Sequence, residues 1–207
     1  MFPVDPFVAF VPAAVALVLA PGPDTVFVLA RGVSDGRRVG LAAALGVNTG
    51  ILVHTTAAVL GLSVLLRTAP VAYTVVKYVG AAYLVVLGVR TLVSEAEFAV
   101  DPELAGYSAG QAYRRAVLVN VLNPKVALFF LAFLPQFIPA SANATVLMSA
   151  LGVTYAAIGM GYLGLVAAFA GVTGRLLETR PLLQSGLRWL SGLVLVGFGV
   201  ALGADSV

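Results

Sequence analysis

The sequence contains no cysteine and little charge. Its 207 residues include 12 lysines and arginines and 9 aspartates and glutamates, together 10% of the chain, where a soluble domain carries roughly 25%. Without cysteine, the chain cannot form a disulfide, a dithiol redox pair or a thiolate metal site. With so few charged side chains, it lacks the polar surface that keeps a globular protein dispersed in water.

Groups that support catalysis or metal binding are also scarce. The only histidine is His54, and no GxxxxGK[ST] phosphate-binding loop occurs, which argues against an ATP-driven pump. A metal path needs several oxygen, imidazole or thiolate ligands, and the apolar stretches offer only Asp24 and His54. We therefore expect no metal, no cofactor and no enzyme activity. Export of a metal or another small ion stays open as the alternative to export of a small metabolite.

Apolar residues dominate the composition. They make up 60% of the chain, and the mean hydropathy is +1.03. Apolar runs of about 20 residues are long enough to cross a bilayer core of about 30 Å as helices. The runs predict an all-α integral membrane protein with six transmembrane helices, in a single domain over residues 1–207 in the lipid bilayer. Basic residues are scattered between the runs, so the net charge of +3 does not indicate nucleic-acid binding.

The loops between these spans differ in basic residues. We place nine in the loops after spans one, three and five, and two, Arg67 and Lys77, on the opposite side. Cytoplasmic loops carry the excess of lysine and arginine, so both termini are expected outside. Lys77 is further expected to be an anchor at the membrane interface. The nine basic residues are Arg31, Arg37, Arg38, Arg90, Arg114, Arg115, Arg175, Arg180 and Arg188.

The two halves of the chain resemble each other in order. Pro23-Asp24 aligns with Pro124-Lys125, and Gly88-Val89 aligns with Gly199-Val200, as the offset grows from 101 to 111. Three helices per repeat is an odd number, so the second half is predicted to be inverted relative to the first. Inverted repeats are typical of transporters, whose site lies at the repeat interface beside interrupted helices. We assign repeat one to residues 7–93, a polar cytoplasmic linker to 94–112 and repeat two to 113–204.

Pro21, Gly22, Pro23 and Asp24 are predicted to interrupt the first helix. Two prolines deprive carbonyls of the preceding turn of their donors, which is tolerated only beside protein or a water-filled cavity. The chain after Pro23 then begins a new half-helix, whose N-terminal amides favour an anion. A proline kink that serves packing alone is the alternative, but the adjoining charge favours a substrate-binding role.

Asn120, Asn123, Pro124 and Lys125 form the counterpart in the fourth helix, and all four are substrate-binding candidates. Lys125 follows Arg115 by ten residues, so it lies about 15 Å deeper at 1.5 Å per residue. A lysine near mid-bilayer costs at least ~2.5–3.5 kcal/mol. We therefore expect Lys125 to face a cavity or a partner, and the expected partner is Asp24.

Asn48 and His54 lie six residues apart in the second helix. Asn48 is a further substrate-binding candidate. His54, with Asp24, is a candidate for proton coupling, because histidine is the side chain that titrates near neutral pH. A neutral histidine hydrogen-bonded to a neighbouring helix is the alternative.

Four stretches carry a resemblance to a known family: APGPD at 20–24, GVNTGILVHTTAAVLGL at 46–62, KYVGAAYLVVLG at 77–88 and NVLNPKVALFFLAFLPQF at 120–137. In this order they resemble the lysine exporter (LysE/RhtB) family from Phe7 to Gly199. The resemblance implies an inner-membrane protein that exports amino acids such as lysine, arginine, homoserine or threonine, driven by proton exchange or membrane potential. It leaves open which amino acid is exported and whether the chain forms a homo-oligomer. The family's motif residues fall on Pro21, Gly22, Pro23, Asn123, Pro124 and Lys125.

Overall fold

The computed structural model describes residues 5–62, 69–93, 106–139 and 142–204, which are helical almost throughout and contain no strand. A π-helical turn, Ala58–Leu62, extends the helix that ends at Ala57. The helix that ends at Leu128 continues as a π-helical turn, Phe129–Phe133, and then a 3₁₀ turn, Leu134–Phe137. The helices are α1 Pro6–Leu19, α2 Pro23–Ser34, α3 Arg37–Ala57, α4 Pro70–Val93, α5 Ala109–Val121, α6 Pro124–Leu128, α7 Ala144–Ala168, α8 Ala170–Thr179 and α9 Pro181–Ala204.

Helices one and four of the predicted six are broken, as expected. In the described part of the chain, four helices are individually long and apolar enough to cross a membrane, and the count is six when each bent pair forms one span. The chain bends by 52° between α1 and α2 and by 49° between α5 and α6. Pro23 and Pro124 start the second member of each pair, where a proline is favoured because it lacks only an amide that would stay unpaired. The all-α membrane fold is confirmed.

Close helix packing places the two broken pairs against α3. A Cβ on Gly50 would lie 2.5 Å from the side-chain oxygen of Asn120, and a Cβ on Gly46 would overlap the carbonyl of Tyr113. The absence of both Cβ atoms lets α3 approach α5, as small residues do at helix contacts in membranes. On the other side of α3, Gly152 of α7 packs on Thr55 in the same way. The last turns of α5 are thereby held against the middle of the bundle.

The contacts between helices agree with two related halves. The helix α4 packs on α9, and α3 packs on α7. The contact of α3 with α5 has its counterpart in the contact of α7 with α1 and α2. Exchange of the halves leaves this set of pairs unchanged. The in-plane two-fold relation itself stays a prediction, and most of the linker, residues 94–105, lies outside the described residues.

Eight of the nine basic residues assigned to loops lie within helices: Arg31, Arg37, Arg38, Arg90, Arg114, Arg115, Arg175 and Arg188. Arg31 belongs to the last turn of α2 and is 1% exposed, so its placement in a loop was wrong. Lys77 is 4% exposed within α4, so it is not an anchor that reaches out to the interface. Arg67 lies outside the described residues.

Arg31 joins the two halves of the chain at one end of the bundle. Its Nη1 lies 2.8 Å from Oδ2 of Asp35, and its guanidinium lies 4.5 Å from the ring centre of Tyr107. The other oxygen of Asp35 accepts hydrogen bonds from the backbone N–H groups of Gly106, at 2.7 Å, and of Tyr107, at 3.2 Å. This buried cluster ties the end of α2 to the chain that leads into α5.

Candidate substrate site at the helix breaks

Asp24 lies in the first turn of α2 and is only 8% exposed. Its Oδ2 accepts two hydrogen bonds, from Nδ2 of Asn120 at 3.0 Å and from Nδ2 of Asn123 at 2.9 Å. Asn120 belongs to the last turn of α5, and Asn123 is the N-cap of α6. The two helix breaks therefore meet, and the asparagines of one break hold the carboxylate of the other.

Lys125 reaches in the opposite direction, from the second break to the first. It is 6% exposed, and its Nζ donates to the carbonyl of Ala20 at 2.7 Å and to that of Leu17 at 3.4 Å. The Leu17 carbonyl has no helical donor, because the residue four positions later is Pro21. These carbonyls also form the negative end of α1. The ammonium thus stabilises the carbonyl groups that the first break leaves open, whereas the sequence predicted Asp24 as its partner.

Gly22 and Asn123 occupy the same position in the two breaks. They are the N-caps of α2 and α6. The Oδ1 of Asn123 accepts from the backbone N–H of Lys125 at 3.0 Å, which satisfies one open amide of α6. A Cβ on Gly22 would lie 3.1 Å from Nζ of Lys125. Glycine at this position leaves room for the ammonium beside the first break.

Three buried acceptors have no hydrogen-bond donor among the residues that the structure describes: Oδ1 of Asp24, Oδ1 of Asn48 and Oδ1 of Asn120. Asn120 contacts Asp24 directly. Asn48 faces Gly159, which lines a cavity with Asp24. A buried acceptor without a donor costs about 1–3 kcal/mol. Of the three, the oxygen of Asp24 belongs to a residue that lines the cavity, and it suits an ammonium group, which carries N–H donors and no acceptor.

His54 contacts Asn120, and among the hydrogen bonds of the described residues none joins it to Asp24. Its Nε2 lies 3.1 Å from the backbone oxygen of Asn120, and its ring stacks on Phe130 with 6.1 Å between centroids. The contact fits the alternative of a histidine hydrogen-bonded to a neighbouring helix. Asn120 thus lies between His54 and the Asp24 carboxylate, and it contacts both.

Two cavities each contact both breaks. One of about 20 Å³ lies against Asp24 and Lys125 and is large enough for a single water. A second, of about 110 Å³, lies on the other side of the breaks, against α4 and α9. An amino acid does not fit the smaller cavity, so binding at Asp24 requires the helices to separate. The second cavity is lined by Pro21, Gly22, Pro23, Tyr83, Leu87, Thr91, Asn123, Pro124, Lys125 and Leu195.

Sequence reasoning missed three polar residues that line the smaller cavity: Thr25, Tyr155 and Tyr162. Thr25 directly follows Asp24, and this neighbouring position could have marked it as a site residue. The tyrosines sit within a long charge-free run and had none. In the described ranges, no group of three histidine, aspartate or glutamate side chains could hold a metal ion.

The sequence is similar to those of known proteins along most of its length. The model of the LysE type translocator family matches residues 15–206. The chain belongs to the LysE type translocator family. A leucine efflux protein of Klebsiella pneumoniae is 34% identical to this translocator over 203 residues, which cover 95% of the chain and 93% of the relative. No solved structure matches it.

Two further relatives span similar lengths. A leucine efflux protein of Salmonella typhimurium is 33% identical over 91% of the translocator and 90% of the relative. The membrane protein YrhP of Bacillus subtilis is 28% identical over 94% and 97%, respectively. The resemblance stated from the motifs is confirmed, and the chain is a multi-pass membrane transporter and not an enzyme.

Gly50→Ala tests whether Asn120 must hold Asp24. The added methyl group would lie 2.5 Å from Oδ1 of Asn120 and must displace that side chain. A hydrogen bond to a charged group contributes about 1.5–3 kcal/mol, so we expect transport by Gly50→Ala to fall roughly 10- to 100-fold. Gly161→Ala is the control, since its methyl group would meet nothing within 4 Å. Equal transport by the two variants in proteoliposomes would contradict the role of Asn120.

Proposed function

We propose that this transporter exports amino acids from the cell, and that Asp24 binds the ammonium group of the substrate while Lys125 binds its carboxylate. The observation that carries the proposal is the state of the Asp24 carboxylate. One oxygen is held by two asparagine amides, and the other is buried without a donor among the described residues. Lys125 lines the same cavity, so opposite charges are available for the two ends of a zwitterion.

The charge balance of the site favours amino acids with a neutral side chain. Among the membrane-spanning segments that the structure describes, Asp24 is the only acidic residue, and Lys125 lines the same cavity and supplies a cation. The second cation of lysine or arginine would therefore meet a like charge and no second carboxylate, which disfavours it. Among the substrates that the family resemblance implies, homoserine and threonine suit the site better. The relatives named for leucine efflux point to the same neutral class.

We propose proton exchange as the driving reaction, with the membrane potential as the alternative source of energy. Asp24 is the coupling group in this mechanism, because one oxygen cannot bind a proton and an ammonium at the same time. Release of the substrate outside then lets the carboxylate take up a proton, which it releases inside. His54, in contact with Asn120, is the second candidate on the proton path.

We further propose that the protein lies in the inner membrane with both termini outside. Arg37 and Arg38 at the start of α3 are exposed, and Arg114 and Arg115 lie in the first half of α5, the helix whose start is tied to Asp35. Cytoplasmic surfaces carry this excess of basic residues. Alkaline phosphatase fused after Val207 is expected to be active. An inactive phosphatase together with an active cytoplasmic reporter at the same position would overturn the orientation.

Export from loaded proteoliposomes tests the proposed function directly. Purified protein would be reconstituted with radiolabelled amino acids inside, one at a time, and efflux measured with and without a pH gradient. We expect leucine, threonine or homoserine to leave faster than from protein-free vesicles, and lysine and arginine to leave at the background rate. Background rates for every amino acid, together with flux of a metal ion, would support an ion exporter instead.

A further inference from the structure

An apolar pocket of about 110 Å³ lies between α2, α7, α8 and α9, next to the first helix break. Its wall includes Pro21 of the break and aliphatic side chains from three helices. These are Val26 and Leu29 of α2, Val166 of α7 and Leu187 of α9. A cavity of about 150 Å³ with such a lining is dry and holds benzene. This pocket is accordingly of the right size for an aliphatic chain of about four carbons.

The pocket is separated from Asp24 by a single pair of side chains. Thr25 and Tyr162 line both this pocket and the small cavity that contains Asp24 and Lys125. Thr25 follows Asp24 on the first turn of α2. Movement of one rotamer pair would therefore join the charged cavity to the apolar pocket.

We propose that this pocket is the subsite for the side chain of the exported amino acid, and that it selects branched aliphatic side chains such as that of leucine. The inference rests on the proposed function. With the ammonium on Asp24, the substrate side chain enters the pocket past Thr25 and Tyr162. Leu29, Val166 and Leu187 then surround it, so that each methylene group of the substrate is removed from water.

A lipid acyl chain is the competing occupant. Leu176 and Leu183 at the outer rim are 44% and 43% exposed, so the pocket also approaches the lipid-facing surface. Its inner wall, however, is shared with the cavity that contains Asp24, the only carboxylate in the described membrane-spanning helices. An acyl chain makes no favourable contact with a carboxylate or an ammonium group. A zwitterion with an aliphatic side chain contacts the Asp24 carboxylate, the Lys125 ammonium and the apolar pocket.

The test compares two identical substitutions on α7. Val166→Phe fills the pocket, and Val153→Phe adds the same ring at a position that is 58% exposed on the same helix. Efflux of leucine and of alanine would be measured from proteoliposomes, because the alanine side chain is too short to enter the pocket. One methylene group in an apolar pocket discriminates about 10- to 200-fold. We expect Val166→Phe to lose leucine efflux at least ~10-fold relative to alanine, while Val153→Phe keeps the wild-type ratio.

A second variant tests the pocket by a gain of transport, which misfolding cannot produce. Leu187→Ala enlarges the pocket and is expected to increase phenylalanine efflux above that of the wild type. Equal leucine-to-alanine ratios in Val166→Phe and Val153→Phe, without a gain in Leu187→Ala, would make the pocket a lipid-facing crevice and overturn the proposal. A wild-type protein that exports no amino acid would instead refute the proposed function.

Discussion

Asp24→Asn and Lys125→Met are each expected to reduce amino-acid efflux by at least roughly 30-fold. Removal of one partner from a buried, hydrogen-bonded charge site costs about 2–5 kcal/mol, and every 1.4 kcal/mol is a factor of about ten. Both side chains are more than nine-tenths buried at the junction of the breaks, at 8% and 6% exposure. Efflux would be measured at equal amounts of monodisperse protein in proteoliposomes.

Two control variants each remove a charged side chain that lies outside the site. Lys77→Met deletes a lysine that is as buried as Lys125, at 4% exposure, and does not line either cavity at the breaks. Asp5→Asn deletes the exposed carboxylate at the start of α1. Wild-type efflux by both Asp24→Asn and Lys125→Met would show that the two charges only support packing. If Asp24→Asn keeps its efflux but loses its pH dependence, Asp24 acts in proton coupling and does not bind the substrate.

Asp35→Ala is expected to destabilise the protein by about 3–5 kcal/mol, because it leaves the guanidinium of Arg31 buried without its carboxylate. Arg31 is 1% exposed, and the pair is joined at 2.8 Å. The variant also removes the acceptor for the backbone N–H groups of Gly106 and Tyr107. Thermal unfolding in detergent would measure the change as a lowered melting temperature.

Two further variants separate this effect from the general loss of an aspartate. Asp5→Ala removes an exposed helix cap and is expected to cost only about 1 kcal/mol. The double variant Arg31→Met with Asp35→Ala is expected to melt higher than Asp35→Ala alone, since removing both charges avoids a buried guanidinium that has lost its carboxylate. If Asp35→Ala and Asp5→Ala have the same melting temperature, the Arg31–Asp35 pair does not hold α2 to the start of α5.

The helix breaks could be predicted from sequence because proline acts locally. The missing amide of Pro23 or Pro124 interrupts a helix whatever surrounds it, and both breaks are found where the prolines stand. Local rules therefore predicted where the two helices break.

The partners of the charges depend on how the breaks meet, which no local rule specifies. Sequence reasoning paired Asp24 with Lys125, and both do line one cavity. It did not foresee that the amides of Asn120 and Asn123 bind the carboxylate, or that the end of α1 accepts from the ammonium. Arg31 was misplaced for a similar reason. An arginine beside a turn has the pattern of a loop residue, and only the packing of Tyr107 and Asp35 buries it.

A structure determined with a bound amino acid tests the central claim most directly. The protein would be reconstituted in nanodiscs with saturating leucine and solved by electron cryo-microscopy. We expect the ammonium nitrogen of leucine within about 3.2 Å of Oδ1 of Asp24, its carboxylate against Nζ of Lys125 and its side chain beyond Thr25 and Tyr162. Leucine bound elsewhere in the bundle, with Asp24 and Lys125 still held by Asn120, Asn123 and the carbonyl of Ala20 alone, would contradict the account.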